Sequence, residues 1–449
     1  MKGNLYNVIK CIIIALSLII CTFVDNNFEL ANIHFYLFVV LCIIDFAHNR
    51  TLTFQILWLV AFIFILLSEM LLNAQYLTQY QWEHKFIFFA NDAVLLGYFF
   101  TRRRKMIINE TQEISGGSSV FVLFISLFYV IFMIYQFPIA IMSMRVGGRN
   151  HADEIGSSNI ILSTFMSSYR VVPFIIGYYI VRIKKGSKWA ALLFSIPIFL
   201  LLLFNGSRFR LLFSVLPFLL ICNFFQVSNI DLRKIFRIVI LVGLLLFVTD
   251  FMMQTRKSGL QAYNTENTKN AEVLNSTKSD YFSVKICQNG SIEGIIPILH
   301  YIKKEVEQNG YTCGKSMGFL FYFWIPRSIW PEKPVMLNSW IPAKYMKGVS
   351  DGFSSSSGFC GEPYADFGYF SIIIFVLMGY GLKKADNYLL GTVYGKKRCI
   401  HSLFAVMLIP YIPFIVRSPI TATYSTFMNG LFVYFFYVTF FKKKGSNKH

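Results

Sequence analysis

Charge is what this chain has least of. Asp, Glu, Lys and Arg make up only 14% of its 449 residues, where a soluble domain carries about 25%. That shortage excludes an ordinary soluble fold. Cys-x-x-Cys pairs are absent. Cys11, Cys21, Cys42 and Cys222 stand alone in apolar runs, and Cys399 sits beside Lys396, Lys397 and Arg398, so no metal site is expected. The chain has no repeat of fixed period and no duplicated halves, which counts against many transporter folds. It also has no small-x-small cleavage site between its first apolar run and Asp25. That run therefore reads as a first membrane span and not a signal peptide.

What is abundant is hydrocarbon. Hydrophobic residues make up 55% of the chain, with 48 phenylalanines, and the mean hydropathy is +0.54. A helix crosses a bilayer with roughly 20 apolar residues. About twelve such stretches occur, near 8–24, 31–47, 53–72, 85–101, 119–143, 159–181, 188–204, 210–226, 234–253, 367–382, 400–416 and 422–441. The expected fold is an all-α polytopic membrane protein. Every second connection is basic: Arg50; Arg102 to Lys105; Arg182, Lys184, Lys185 and Lys188; Arg233, Lys234 and Arg237; Lys383 and Lys384 with Lys396, Lys397 and Arg398; then Lys442 to Lys444. Basic connections stay cytoplasmic, so both termini are expected inside. Much of the net charge of +19 is then topology and attraction to anionic lipid, and no nucleic-acid partner is implied.

One connection breaks the alternation. Residues 254–366 form a long polar segment on the expected outer side, dividing the chain into spans within 1–253, a large loop, and spans with a basic tail within 367–449. Within the loop, "SIEGIIPILHYIKKEVEQNG" has Ile295, Ile296, Leu299, Ile302 and Val306 at helical spacing. "GFLFYFW" (Gly318 to Trp324) is apolar but too short to span, so it fits the membrane interface. It runs into "FWIPRSIWPEKP" (Phe323 to Pro334). Pro326, Pro331 and Pro334 stiffen this strap and push the preceding residues extended. Trp324, Trp330 and Trp340 suit headgroup depth. Arg327 and Lys333 would then face outward at that depth, and a guanidinium fork matches phosphate oxygens.

Several more cations share the expected outer face. They include Arg208 and Arg210 in "NGSRFR", Arg145 and Arg149 in "RVGGRNHADE", and Arg256 and Arg417. Arg170 falls mid-span, where charge is costly and functional by default. The simplest task for such a set is an anionic ligand. Glu362 and Asp366 in "GFCGEPYADFGYF" are four apart, one turn if helical, and each is a candidate general base or an acid favoured at a helix start. His151 is a further candidate base. His300, on the amphipathic stretch, has no expected catalytic duty. Asn91 and Asp92 read as a buried polar pair.

"IPRSIWPEKP", then a Gly/Ser-rich stretch, then "GEPYADFGYF", resembles the Wzy-type polymerases of O-antigen and related oligosaccharide repeat units. "GSRF" after a span, roughly twelve spans and one large periplasmic loop fit the same pattern. The resemblance implies a multi-pass inner-membrane glycosyltransferase, similar in fold to the O-antigen ligases and other lipid-dependent (GT-C-like) glycosyltransferases. It joins undecaprenyl-pyrophosphate-linked oligosaccharides at the periplasmic face, without a cofactor or metal. A chain-length regulator and a flippase are partners of such systems. On this reading Arg208 and Arg327 hold pyrophosphate, with Arg145, Arg149, Arg417 and Lys333 in reserve. Glu362 is the first choice of base, with Asp366 and His151 as alternates. Trp324 and Trp330 anchor the strap or stack on sugars. An O-antigen ligase and a polysaccharide flippase are the rival readings.

Overall fold

The computed structural model describes residues 3–49, 53–67, 80–101, 295–325, 329–346, 356–392, 408–409 and 411–424, with scattered positions between 123 and 200 and between 427 and 439. Among the described residues the regular structure is helical throughout. Three segments are long and apolar enough to cross a membrane: Leu5–Phe23, Asn27–Asn49 and Gly358–Tyr388. The chain is a membrane protein.

Packing divides it into two compact units. The first comprises Met1–Met106, Phe282–Leu390 and Tyr411–Ser425. It holds α1 (Gly3–Phe23), α2 (Asn27–Asn49), α3 (Phe54–Phe62, continued by a π turn to Leu67) and α4 (Gln81–Phe100). From the long connection come α5 (Ile295–Asn309), α6 (Lys315–Tyr322) and α7 (Leu337–Tyr345). Then follow α8 (Gly358–Phe367), a single 3-10 turn, α9 (Ser371–Thr392) and α10 (Tyr411–Arg417). In the second unit, Leu123, Leu127, Ile131 and Ile134 are exposed at helical spacing, an outward-facing apolar stripe of the kind a lipid-facing helix shows.

The first unit differs from a soluble bundle in carrying apolar side chains on its outer face as well as in its core. On α1, Leu5, Val8, Ile12, Leu16, Ile19 and Phe23 recur every three or four residues and are exposed, while Lys10, Ser17 and Cys21 are buried. On α2, Phe28, Tyr36, Val40 and Ile43 face out, and His34 and Asp45 face in. Lipid rewards that arrangement, because an outward charge in hydrocarbon costs about 2.5–3.5 kcal/mol or more. α3 is buried on nearly every side and forms the central post.

Hydrogen bonds fix how the helices run. At one end, the start of α1, the end of α2, the start of α3 and the ends of α4 and α9 meet. Lys10 lies 3.5 Å from Asp45 and also donates to Gln55. Tyr6 and Thr53 donate to Asp45, the latter at 2.6 Å. Asp386 accepts from the Phe54 amide, from Tyr98 and, at 3.4 Å, from the Gln55 amide. It thereby caps α3, whose first amides have no partner within the helix. At the opposite end, the α1–α2 turn meets the start of α4: Lys85 pairs with Asp25 at 2.7 Å and Gln81 donates to the Asp25 carbonyl at 3.0 Å. The long-connection helix α5 joins this second end.

α4 and α9 cross closely on glycines. A Cβ on Gly97 would fall on the Val376 carbonyl, and one on Gly379 on the Val94 carbonyl. Small residues that let backbones approach are how membrane helices gain contact without a hydrophobic drive between them.

Candidate functional site

The site grows from α8, which with the 3-10 turn after it carries "GEPYADFGYF". The helix brings Glu362 and Asp366 to one face, a turn apart, and both are buried, at 1% and 2% exposure. Each carboxylate reaches the start of another helical segment. Glu362 accepts from the Thr421 amide at 2.9 Å and from the Thr421 hydroxyl, the first turn of the helical run 420–424 that follows Pro419. Asp366 accepts from the amides of Ser316 at 3.1 Å and Met317 at 2.6 Å, and from the Thr312 hydroxyl. It caps α6, and the Thr312 amide adds a bond to the Ala365 carbonyl at 2.9 Å. A carboxylate at a helix start satisfies donors that have no partner within the helix and meets the positive end of the dipole. The acid role weighed from sequence is therefore present, but it serves neighbouring segments and not α8 itself.

α6 leads into the strap. Lys333 is buried, and its ammonium donates to the carbonyls of Phe323 at 2.8 Å and Ile325 at 2.9 Å, 4.7 Å above the Phe319 ring. These are carbonyls at the exit of α6, where a cation is favoured. Lys333 thus turns inward and folds the strap back on its helix, which differs from the outward orientation expected of it. Trp330 packs edge-on against Tyr322 at 5.3 Å. Phe321, Trp324 and Ile329 are exposed at 81%, 65% and 75%, an apolar edge that suits headgroup depth.

α5 supplies what sequence reasoning passed over. His300 Nδ1 lies 2.8 Å from Glu83 Oε1 of α4. The Glu83 side chain is 3% exposed and the imidazole 42%. The contact fixes the orientation of the ring on one side and leaves the imidazole half-exposed. Tyr80 packs edge-on against the ring at 5.2 Å, and Lys303 covers Trp82 at 4.8 Å. α5 also packs on α8: a Cβ on Gly361 would meet Ile302 at 3.0 Å. On its far side α5 clamps α7 through Glu305, which accepts from Lys344 at 3.0 and 2.7 Å, Tyr345 at 2.6 Å and Asn309 at 2.8 Å. Burial alone would raise the Glu305 carboxyl, but these donors outweigh it and hold it below the usual range. Burial and the Glu305 carboxylate push Tyr345 up to about 12.

Arg417 closes α10 just before the segment that Glu362 caps. It is half-buried, and its carbonyl accepts from Ser356, at the approach to α8. The structure thus gathers Glu362, Asp366, Arg417, Lys333, Trp324 and Trp330 around α6, α8 and α10. Arg145, Arg149, His151, Arg170, Arg208 and Arg327 lie outside the described residues. The sequence did hold a signal for the His300–Glu83 pair: an acid beside an apolar run needs a partner, and Glu83 stands two residues before one.

Compared with protein-family models, curated proteins and solved structures, the chain matches none.

Proposed function

We propose that the chain polymerises lipid-pyrophosphate-linked oligosaccharide repeat units at the periplasmic face of a bacterial inner membrane, through about twelve spans with both termini cytoplasmic. One observation carries the reading. The two segments that hold the family resemblance pack together, since Asp366 of "GEPYADFGYF" caps the helix that runs into "FWIPRSIWPEKP". Two features support it. The long-connection helices sit at the end of the unit opposite Lys10, and the strap presents aromatic side chains outward.

In this reading an acceptor hydroxyl oxygen attacks the anomeric carbon of the donor glycan. The carbon–oxygen bond to pyrophosphate breaks, and the lipid pyrophosphate leaves with the electron pair. The leaving group needs cations more than a proton, and fixed charge is usually the largest catalytic contribution. Arg208 and Arg327 fill that role, with Arg145, Arg149 and Arg417 as further ligands. The acceptor proton needs a base within hydrogen-bond reach. Glu362 and Asp366 spend their oxygens on helix starts, so they hold the strap and Arg417 in register. His300 is a half-exposed imidazole held by Glu83, and we assign proton removal there.

A histidine on a loop helix also favours the O-antigen ligase reading, and one experiment separates the two. Deleting the gene and resolving the lipopolysaccharide ladder is expected to leave a single repeat on the core. Core with no repeat would point to ligation or export, and an unchanged ladder would overturn both.

A further inference from the structure

Away from the site, three helices of the first unit converge on a buried polar cluster. Cys21 of α1, His34 of α2 and Asp92 of α4 place one ligand atom each within 4.8 Å of one another. All are buried, with His34 and Asp92 at 0% exposure. Sγ of Cys21 and Nε2 of His34 are 3.4 Å apart. Ligands around a tetrahedral zinc ion, at about 2.0–2.3 Å from the metal, stand roughly 3.5 Å from each other.

The surroundings already orient two of the three ligands. His34 Nδ1 lies 2.7 Å from the Leu30 carbonyl, which can only accept. The proton is therefore on Nδ1, and Nε2 turns its lone pair toward Cys21. Ser17 Oγ donates to Asp92 Oδ2 at 2.7 Å. The other oxygen, Oδ1, is buried without a hydrogen-bond partner among the described residues. An unmatched carboxylate oxygen in a membrane interior is costly. Backbone and hydroxyl partners behind the ligands are the usual second layer of a metal site.

We propose that Cys21, His34 and Asp92 bind a borderline-soft divalent cation of the zinc class, clasping α1, α2 and α4 and leaving a fourth coordination position. The ligand set selects the ion. Thiolate and imidazole favour zinc over magnesium or calcium, which prefer all-oxygen shells. Charge favours it as well: a thiolate and a carboxylate around a dication are neutral together, and a neutral complex avoids most of the penalty of buried charge. Cysteine spacing gives no sign of the site, because its ligands come from three separate helices and only one is a cysteine.

The test uses the full-length protein in detergent, exchanged into metal-free buffer and analysed by plasma mass spectrometry. Wild type is expected to retain about one zinc per chain, held by three protein ligands with the fourth position open to water. Cys21→Ser and His34→Gln should fall to background, whereas Cys11→Ser, at an exposed cysteine of the same helix, should not change. Ser17→Ala should weaken zinc affinity about 10-fold. Cobalt added to stripped wild type should give thiolate charge-transfer absorption that Cys21→Ser lacks. Cys21→Ser alters a single atom, so its folded peak on gel filtration serves as the control for misfolding. Zinc at background in wild type, or equal zinc in wild type and both ligand variants, would overturn the proposal, as would a cobalt spectrum unaffected by Cys21→Ser.

Discussion

The two ends of the first unit are both polar, but they are polar in opposite ways. Around Lys10 the polar groups close on one another: Lys10 on Asp45 and Gln55, Tyr6 and Thr53 on Asp45, Tyr98 and the α3 amides on Asp386. Around α5 and α8 the carboxylates are equally satisfied, yet they hold up a half-exposed imidazole and an outward aromatic edge. Burial of charge in a membrane protein is therefore not by itself a mark of chemistry. Asp386, Glu362 and Asp366 are all buried and all do the same work, closing the start of a helical segment. What separates the ends is a half-exposed imidazole held by a buried carboxylate.

The comparison can be broken from either side, and the glycine crossing should break both ends at once. Gly379→Val drives side-chain atoms into the Val94 backbone, and overpacking of that kind costs about 3 kcal/mol or more. The variant should fail to accumulate in the membrane, as judged by immunoblot and by detergent-resistant fluorescence on gel filtration.

Asp386→Ala should come next. It strands two amides and a tyrosine hydroxyl in the closed end, for a loss of about 3 kcal/mol in thermal unfolding. Activity per folded molecule should stay near wild type. Asp366→Ala should cost less stability, about 1–2 kcal/mol, because α6 lies nearer the surface. Unlike Asp386→Ala it should lower elongation per folded molecule, since the strap loses its anchor.

The smallest effect concerns pH. The Glu305 carboxyl is held below its ordinary value. Its contribution to stability is complete above the unfolded carboxylate pKa of about 4.3 and is lost as pH falls through the depressed folded value. Tyr345, raised to about 12, contributes fully below its unfolded pKa of about 10 and loses that contribution as pH rises through the folded value. Melting curves across pH should show both limbs flattened in Glu305→Gln.

Much of the described architecture was legible in the hydropathy. The span expected at 31–47 lies within α2, and those at 8–24 and 367–382 lie mostly within α1 and α9. The amphipathic stretch became α5, with Ile295, Ile296, Leu299 and Ile302 buried. Glu362 and Asp366 do stand a turn apart on one helix. Their partners were not legible, because Thr421 and the first turn of α6 are some 50 or more residues away, and no local pattern encodes a contact across that distance. The same holds for Asp386 and the Phe54 amide, 332 residues apart. Glu83 escaped for a different reason. Hydropathy starts the fourth span at 85, whereas the helix begins at Gln81, so a buried acid was left in a connection. Gly97 and Gly379 give no signal until both helices are packed.

The half-exposed imidazole of His300 is addressed directly by one assay. Purified protein in lipid nanodiscs would be given undecaprenyl-pyrophosphate-linked repeat units, with elongation rate and unit binding measured together. His300→Gln should slow elongation by about 10²–10⁴-fold, the range of a lost general base, with binding of the lipid-linked unit retained. Glu83→Gln should show a smaller loss in the same direction. Elongation by His300→Gln at the wild-type rate would contradict the assignment.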